Sequence, residues 1–130
     1  MKKFLAVGIV CMVFPMASGC SHEEPDFLAG GREVESWIAA LHDPDPQVRR
    51  QAVMKLGNVG DADPAAAEGL TEALCDTDVQ VRRAAVFAVV KLDKPSEAIT
   101  SQLDIMSRND SEPGVREVAG KALEKLSRSD

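Results

Sequence analysis

Apolar residues follow two patterns along this chain. Phe4 to Met16 is an unbroken run without a charge. From about residue 32 onward, apolar positions recur at spacings of three and four. Val48, Ala52, Leu56 and Val59 fall at i, i+4, i+8 and i+11, one stripe of an α-helix. Just upstream, Val34, Trp37, Ile38 and Leu41 share a face of another helix. The acidic stretch Asp43-Pro44-Asp45-Pro46 separates them. The pattern predicts two antiparallel helices joined by a tight turn.

That unit occurs three times. Asp43-Pro44-Asp45-Pro46-Gln47-Val48-Arg49-Arg50-Gln51-Ala52 aligns with Asp76-Thr77-Asp78-Val79-Gln80-Val81-Arg82-Arg83-Ala84-Ala85. The third copy is Asp110-Ser111-Glu112-Pro113-Gly114-Val115-Arg116-Glu117-Val118-Ala119. Val48, Val81 and Val115 correspond at spacings of 33 and 34, as do Arg49, Arg82 and Arg116. Trp37, Leu70 and Leu103 keep a spacing of 33, which assigns the extra residue of the third unit to its inter-helix turn near 107–109. Pro46, Pro64, Pro95 and Pro113 mark helix starts, where a missing N–H costs little. Six helices are expected, near 32–42, 46–59, 64–75, 79–92, 95–107 and 113–127, in units 32–61, 62–94 and 95–130. The fold class is all-α.

Repeated helix pairs with Asp-x-x-x-x-Val-Arg-x-x-Ala resemble the HEAT family, in particular its branch related to phycobilin-lyase repeats. Residues 48–61 lie close to that branch's second helix and exit turn, and the resemblance spans 33 to 127. It implies a short right-handed α-solenoid of three HEAT-like repeats. It also implies that Asp43, Asp76 and Asp110 form a structural ladder with Arg49, Arg82 and Arg116, linking neighbouring repeats. Arginine suits that role because its planar fork can bind a carboxylate and a carbonyl together. Asp45 and Asp78 are placed to accept free N–H groups at the start of the second helices. The third copy departs most, with Glu117 in place of the second arginine, as terminal repeats often do.

The first apolar run is an address. Lys2 and Lys3 precede it, and Ala17, Ser18, Gly19 and Cys20 follow. The run is short for a bilayer span of about 20 residues, and the layout is that of a secretory signal. Ala17-Ser18-Gly19-Cys20 resembles the lipobox of bacterial lipoproteins, although Ala17 stands where leucine is commoner. The resemblance implies cleavage before Cys20, lipidation of its thiol and acylation of the new amino terminus. Residues 1–19 would be the signal peptide and 20–31 a lipidated, flexible tether. The product would be exported and anchored to a membrane through its lipid. In a Gram-negative host, Ser21 implies the periplasmic face of the outer membrane.

Composition narrows the functions. Hydrophobic residues make up 45% of the 130 positions but aromatics only 4%, which speaks against disorder and against a β-barrel. The net charge is −6, and it becomes −8 once residues 1–19, with two lysines and no acid, are removed. Such acidity disfavours nucleic acid. Cys20 would be blocked by lipid, so Cys75 has no internal disulfide partner and is expected as a small buried residue near a helix end. His22 and His42 lack zinc spacing, and the acidic turns lack a calcium loop's six or more oxygens. No nucleophile elbow, phosphate loop or metalloprotease motif occurs, so no cofactor, metal or catalytic residue is assigned.

A binding surface is expected on the second helices, which line the concave side of stacked repeats. The face opposite the core stripe carries Arg50, Met54 and Gly57, then Arg83, Phe87 and Val90, then Glu117, Lys121 and Glu124. Arg50, Met54, Arg83, Phe87 and Val90 are nominated as the partner-contact surface. The competing placement for Phe87 is packing against helix 64–75 or a neighbouring repeat. The expected role is a non-catalytic interaction scaffold or assembly factor for an unidentified envelope protein, as a monomer or small oligomer. The alternative is a lyase or lyase subunit, because some members of the resembled branch attach bilins.

Overall fold

Helix starts are set by short polar side chains that take up free N–H groups. In the computed structural model, which describes residues 30–128, Asp45 accepts from the Gln47 N–H at 2.8 Å and opens α2 (Pro46–Val59). Asp63 accepts from Ala65 at 2.9 Å and opens α3 (Pro64–Ala73). Asp78 accepts from both Gln80 and Val81 and opens α4 (Val79–Val89). Ser96, not Pro95, caps α5 (Glu97–Asn109), so Pro95 stays outside the helix. Upstream lies α1 (Gly30–Ala40), and α6 (Pro113–Ser127) closes the order. A short 3-10 turn, Gly60–Ala62, follows α2. Gly60 makes that exit with a φ of 57°, a left-handed conformation that favours glycine.

The helices pair as the sequence pattern predicts: α1 on α2, α3 on α4, α5 on α6. Between units, α2 packs on α4 and α4 on α6, while α1 meets α3 and α3 meets α5. The chain is an all-α, solenoid-like stack of three helix pairs. No strand occurs among the described residues.

The core is aliphatic and built largely of small residues. Ala52, Ala66, Ala85 and Ala119 are fully buried with Leu56, Leu70, Leu74, Ile99 and Leu103. Each large side chain so buried is worth roughly 1.5–3 kcal/mol. Val81 and Val115 are fully buried, whereas Val48, their counterpart in the first unit, is only half-buried. Val81 and Val115 each have a preceding unit against them, and Val48 has no such neighbour among the described residues.

Several expectations change. Gly57, assigned to the outward face, lies buried in the seam between α2 and α4. A Cβ added there would come within 2.8 Å of the Ala88 Cβ, so glycine lets the two helices approach. Trp37, on the apolar face of α1, is only half-buried against the core, with the Lys55 ammonium 5.6 Å from its ring centroid. Cys75 is exposed, because Leu74 takes the core position at the end of α3. The extra residue of the third unit lengthens α5, which stays helical through Asn109. Helix α1 takes in Gly30 and Gly31, which composition assigns to the tether. Cys20 and the signal segment lie outside the described residues.

Replacing Gly57 by leucine should overpack the α2–α4 seam and cost about 1–3 kcal/mol. At 4–8 °C per kcal/mol for a domain of this size, that is a clear fall in Tm. Gly120→Ala, where an added Cβ meets nothing within 4 Å, should leave the Tm equal or higher. Circular dichroism melting curves compare the two.

Candidate functional site

Two groups of side chains stand out on the second helices: the arginines at their starts and an exposed apolar patch farther along.

The arginines form a ladder that runs forward through the stack. Arg49 donates from Nε and Nη2 to the two carboxylate oxygens of Asp76, at 2.9 and 3.0 Å. Its Nη1 turns back to the carbonyls of Asp43 and Pro44. Arg82 repeats this one unit on, gripping Asp110 at 2.8 and 2.9 Å and the carbonyls of Asp76 and Thr77. Arg116 bonds the Asp110 carbonyl through Nη1. The acidic partner of Arg49 and of Arg82 is therefore the aspartate of the following unit. The aspartate six residues upstream contributes its carbonyl instead.

Each ladder aspartate is itself pre-set by its own turn. Asp43, Asp76 and Asp110 accept the N–H two residues on, at 2.8, 2.8 and 2.9 Å. That bond holds the carboxylate in place from its own side of the junction. The Arg82–Asp110 pair is largely covered, with the side chains 12% and 6% exposed. Burial pushes the Asp110 carboxyl up, but hydrogen bonds from Arg82 and the Glu112 N–H, with the charges of Arg82 and Arg116, hold it below the usual carboxylate value. The hydrogen bonds to Asp110 and Asp76 push the guanidiniums of Arg82 and Arg49 up, against the effect of burial. Because its folded pKa is lowered, Asp110 adds stability above the ordinary carboxylate range, and that stability is lost as the pH falls.

The second group lies on the surface. Met54 and Phe87 are 55% and 56% exposed. With Ile105 they are the large exposed hydrophobics among the described residues. Phe87 is therefore a surface residue and not part of the buried core. Arg50, Met54, Arg83 and Phe87 line one shallow groove of about 390 Å³ between α2 and α4. Gln80, Ala84, Ala88 and Lys91 complete it. Val90 lies across Phe87, in an adjoining groove of about 270 Å³ with Val118, Lys121 and Lys125. The five nominated residues are thus split over two grooves that share Phe87 as their common wall.

Lys91 and the α6 lysines were not nominated. Lys91 was legible, since it follows Arg83 and Phe87 at the same step of four. Lys121 stood on the expected face but belonged to a repeat without an apolar anchor. It is held by Glu117 at 2.6 Å, which lowers the Glu117 pKa and raises that of Lys121. His42 is exposed, its Nδ1 3.5 Å from Glu72 Oε1. Among the described residues, no group of three or more His, Cys, Asp or Glu could hold a metal.

The sequence model of a family described as HEAT repeats matches residues 34–124. A search of curated proteins finds no significant match.

Arg82→Ala should leave the covered Asp110 carboxylate without its bidentate partner, at a cost of about 3 kcal/mol. Lys94→Ala, at an exposed position, should stay within about 0.5 kcal/mol of the parent. Urea denaturation measures both, and equal midpoints would contradict a structural role for the ladder.

Proposed function

This chain belongs to the HEAT-repeat family, and from that premise we propose that it is a non-catalytic scaffold or assembly factor which docks a partner protein on its second helices. Repeats of this kind suit protein interaction, because stacked helices present a long, firmly held face. One observation carries the assignment of the face: Met54 and Phe87 sit side by side, more than half exposed, in one groove of a chain otherwise poor in aromatics. An exposed aromatic beside a flexible methionine and two arginines has the character of an interaction hot spot. Polar helix faces elsewhere carry charged pairs such as Arg108–Asp104 and Arg128–Glu124, which interact well with water.

The cellular setting belongs to the same proposal. Lys2 and Lys3, the apolar run and the Ala-Ser-Gly-Cys sequence support export and lipid anchoring through Cys20. Several acyl chains, at about 0.8 kcal/mol per buried CH₂, make such an anchor stable. The partner would then be a protein of the cell envelope, within reach of a membrane-tethered domain.

Crosslinked pull-down from the native envelope tests this. The parent should capture a reproducible partner, and Phe87→Ala with Arg83→Glu should reduce its recovery at least about tenfold, as for hot-spot residues. Melting temperatures must remain matched. An unchanged partner set would contradict the docking face. Retention of Cys20→Ala in the membrane fraction would contradict the anchor.

A further inference from the structure

Charge is placed unevenly on this chain. It holds 21 acids and 15 bases, yet no carboxylate lines either groove beside Phe87. Arg50, Arg83 and Lys91 edge the larger one. Among the described residues, Arg50 and Arg83 form no ion pair. Arg83 acts on Glu117 only through space, and Glu117 is already held by Lys121. The ladder arginines, by contrast, have their donors committed to a carboxylate and to carbonyls. The groove therefore offers two guanidiniums whose forks are unused by the fold.

These side chains stand in tiers. Arg50 and Arg83 occupy one repeat position, Met54 and Phe87 the next, Asn58 and Lys91 the third, each pair 33 residues apart. On α4, Phe87 follows Arg83 by four residues, and Lys91 comes four later, just past the helix end. Arg83 and Lys91 are then about 12 Å apart along the axis at 1.5 Å per residue. The Lys91 ammonium leans toward Asn58 Oδ1, 3.4 Å away across the seam. Cationic, apolar and cationic tiers follow one another along the groove.

We propose that the groove takes an acidic segment of a partner protein with a single apolar anchor. The anchor, aromatic or long and aliphatic, seats between Met54 and Phe87. One flanking carboxylate meets the guanidiniums of Arg50 and Arg83, and the other meets Lys91. An extended segment covers about 12 Å in roughly four residues, so the motif is acidic, any, apolar, any, acidic. Bidentate pairing with arginine gives the first contact its direction. Nucleic acid fits less well, because it needs cations that track successive phosphates. Here Met54 and Phe87 interrupt the cations, and the chain's net −6 repels a polyanion. The proposal rests on the docking face of the previous section and names the chemistry of what docks there.

The chain itself contains Glu23-Glu24-Pro25-Asp26-Phe27-Leu28, which has similar chemistry, so the test separates that occupant from a partner. A random-peptide library is selected on the full-length chain. Binding of the enriched peptides is then measured on the parent, on Arg50→Gln/Arg83→Gln, on Phe87→Ala, and on Glu23→Gln/Glu24→Gln/Asp26→Gln. Enriched peptides should carry Asp or Glu on both sides of Phe, Leu or Met. They should bind the two groove variants at least about tenfold more weakly at matched melting temperatures. Groove-dependent peptides without acids would overturn the proposed chemistry while leaving the docking face standing. Acidic peptides indifferent to both groove variants would overturn the face as well. Binding seen only in the triple glutamine variant would make the chain's own segment the occupant and overturn a partner. Selection of no peptide, with single-stranded oligo(dT) binding lost in the arginine variant, would make the ligand nucleic acid and overturn the proposal.

Discussion

The guanidinium forks of Arg49 and Arg82 hold one repeat to the next. A repeat protein has contacts only between neighbours, so each junction must be secured locally. Here one edge of the fork binds carbonyls of the arginine's own turn, and the other grips the carboxylate of the following unit. A single side chain thereby fixes its own turn and the position of the next. The geometry is bidentate and largely covered, so loss of one partner leaves a charge that water reaches poorly. Its cost and its directional strength have the same origin.

Everything farther along the second helices inherits that register. With the helix starts fixed, α2 and α4 run side by side closely enough for Gly57 to meet Ala88. Small residues fill the seam between them, and Met54 and Phe87 are left on the outer side of it. The groove is therefore a consequence of the stacking and not of a separate loop. Because its walls are helices packed on a common core, the spacing of Arg83 and Phe87 is set by helical rise, and Lys91 follows in the turn after α4. A surface of this kind can impose a pattern on what it binds, since its spacings are those of packed helices.

Much of this was legible in the sequence because the period of the core stripe and the period of the repeat agree. The bounds of α2 and α6 match the expected ones, and both begin with a proline at the first turn. The direction of the ladder was not legible. Sequence places Asp43 and Arg49 in one unit, and only the fold shows that Arg49 reaches Asp76 while using the Asp43 carbonyl. Gly57 was misassigned because a helical wheel gives direction but not how near a neighbouring helix comes. At that position the absent side chain admits α4, and the residue turns from outward to buried. Phe87 had two open placements, since an aromatic at helical spacing can serve a core or a surface. Its exposure depends on the small residues around it filling the core without it.

The coupling between Arg82 and Asp110 is the most direct measure of whether the ladder governs the stack. A double-mutant cycle with Arg82→Ala, Asp110→Ala and both together, followed by urea denaturation, isolates it. The account predicts strong non-additivity. The double variant should be no less stable than Arg82→Ala alone, with an interaction energy of more than about 1 kcal/mol. Two losses that simply add would show that the fork and the carboxylate act independently, and would contradict the account.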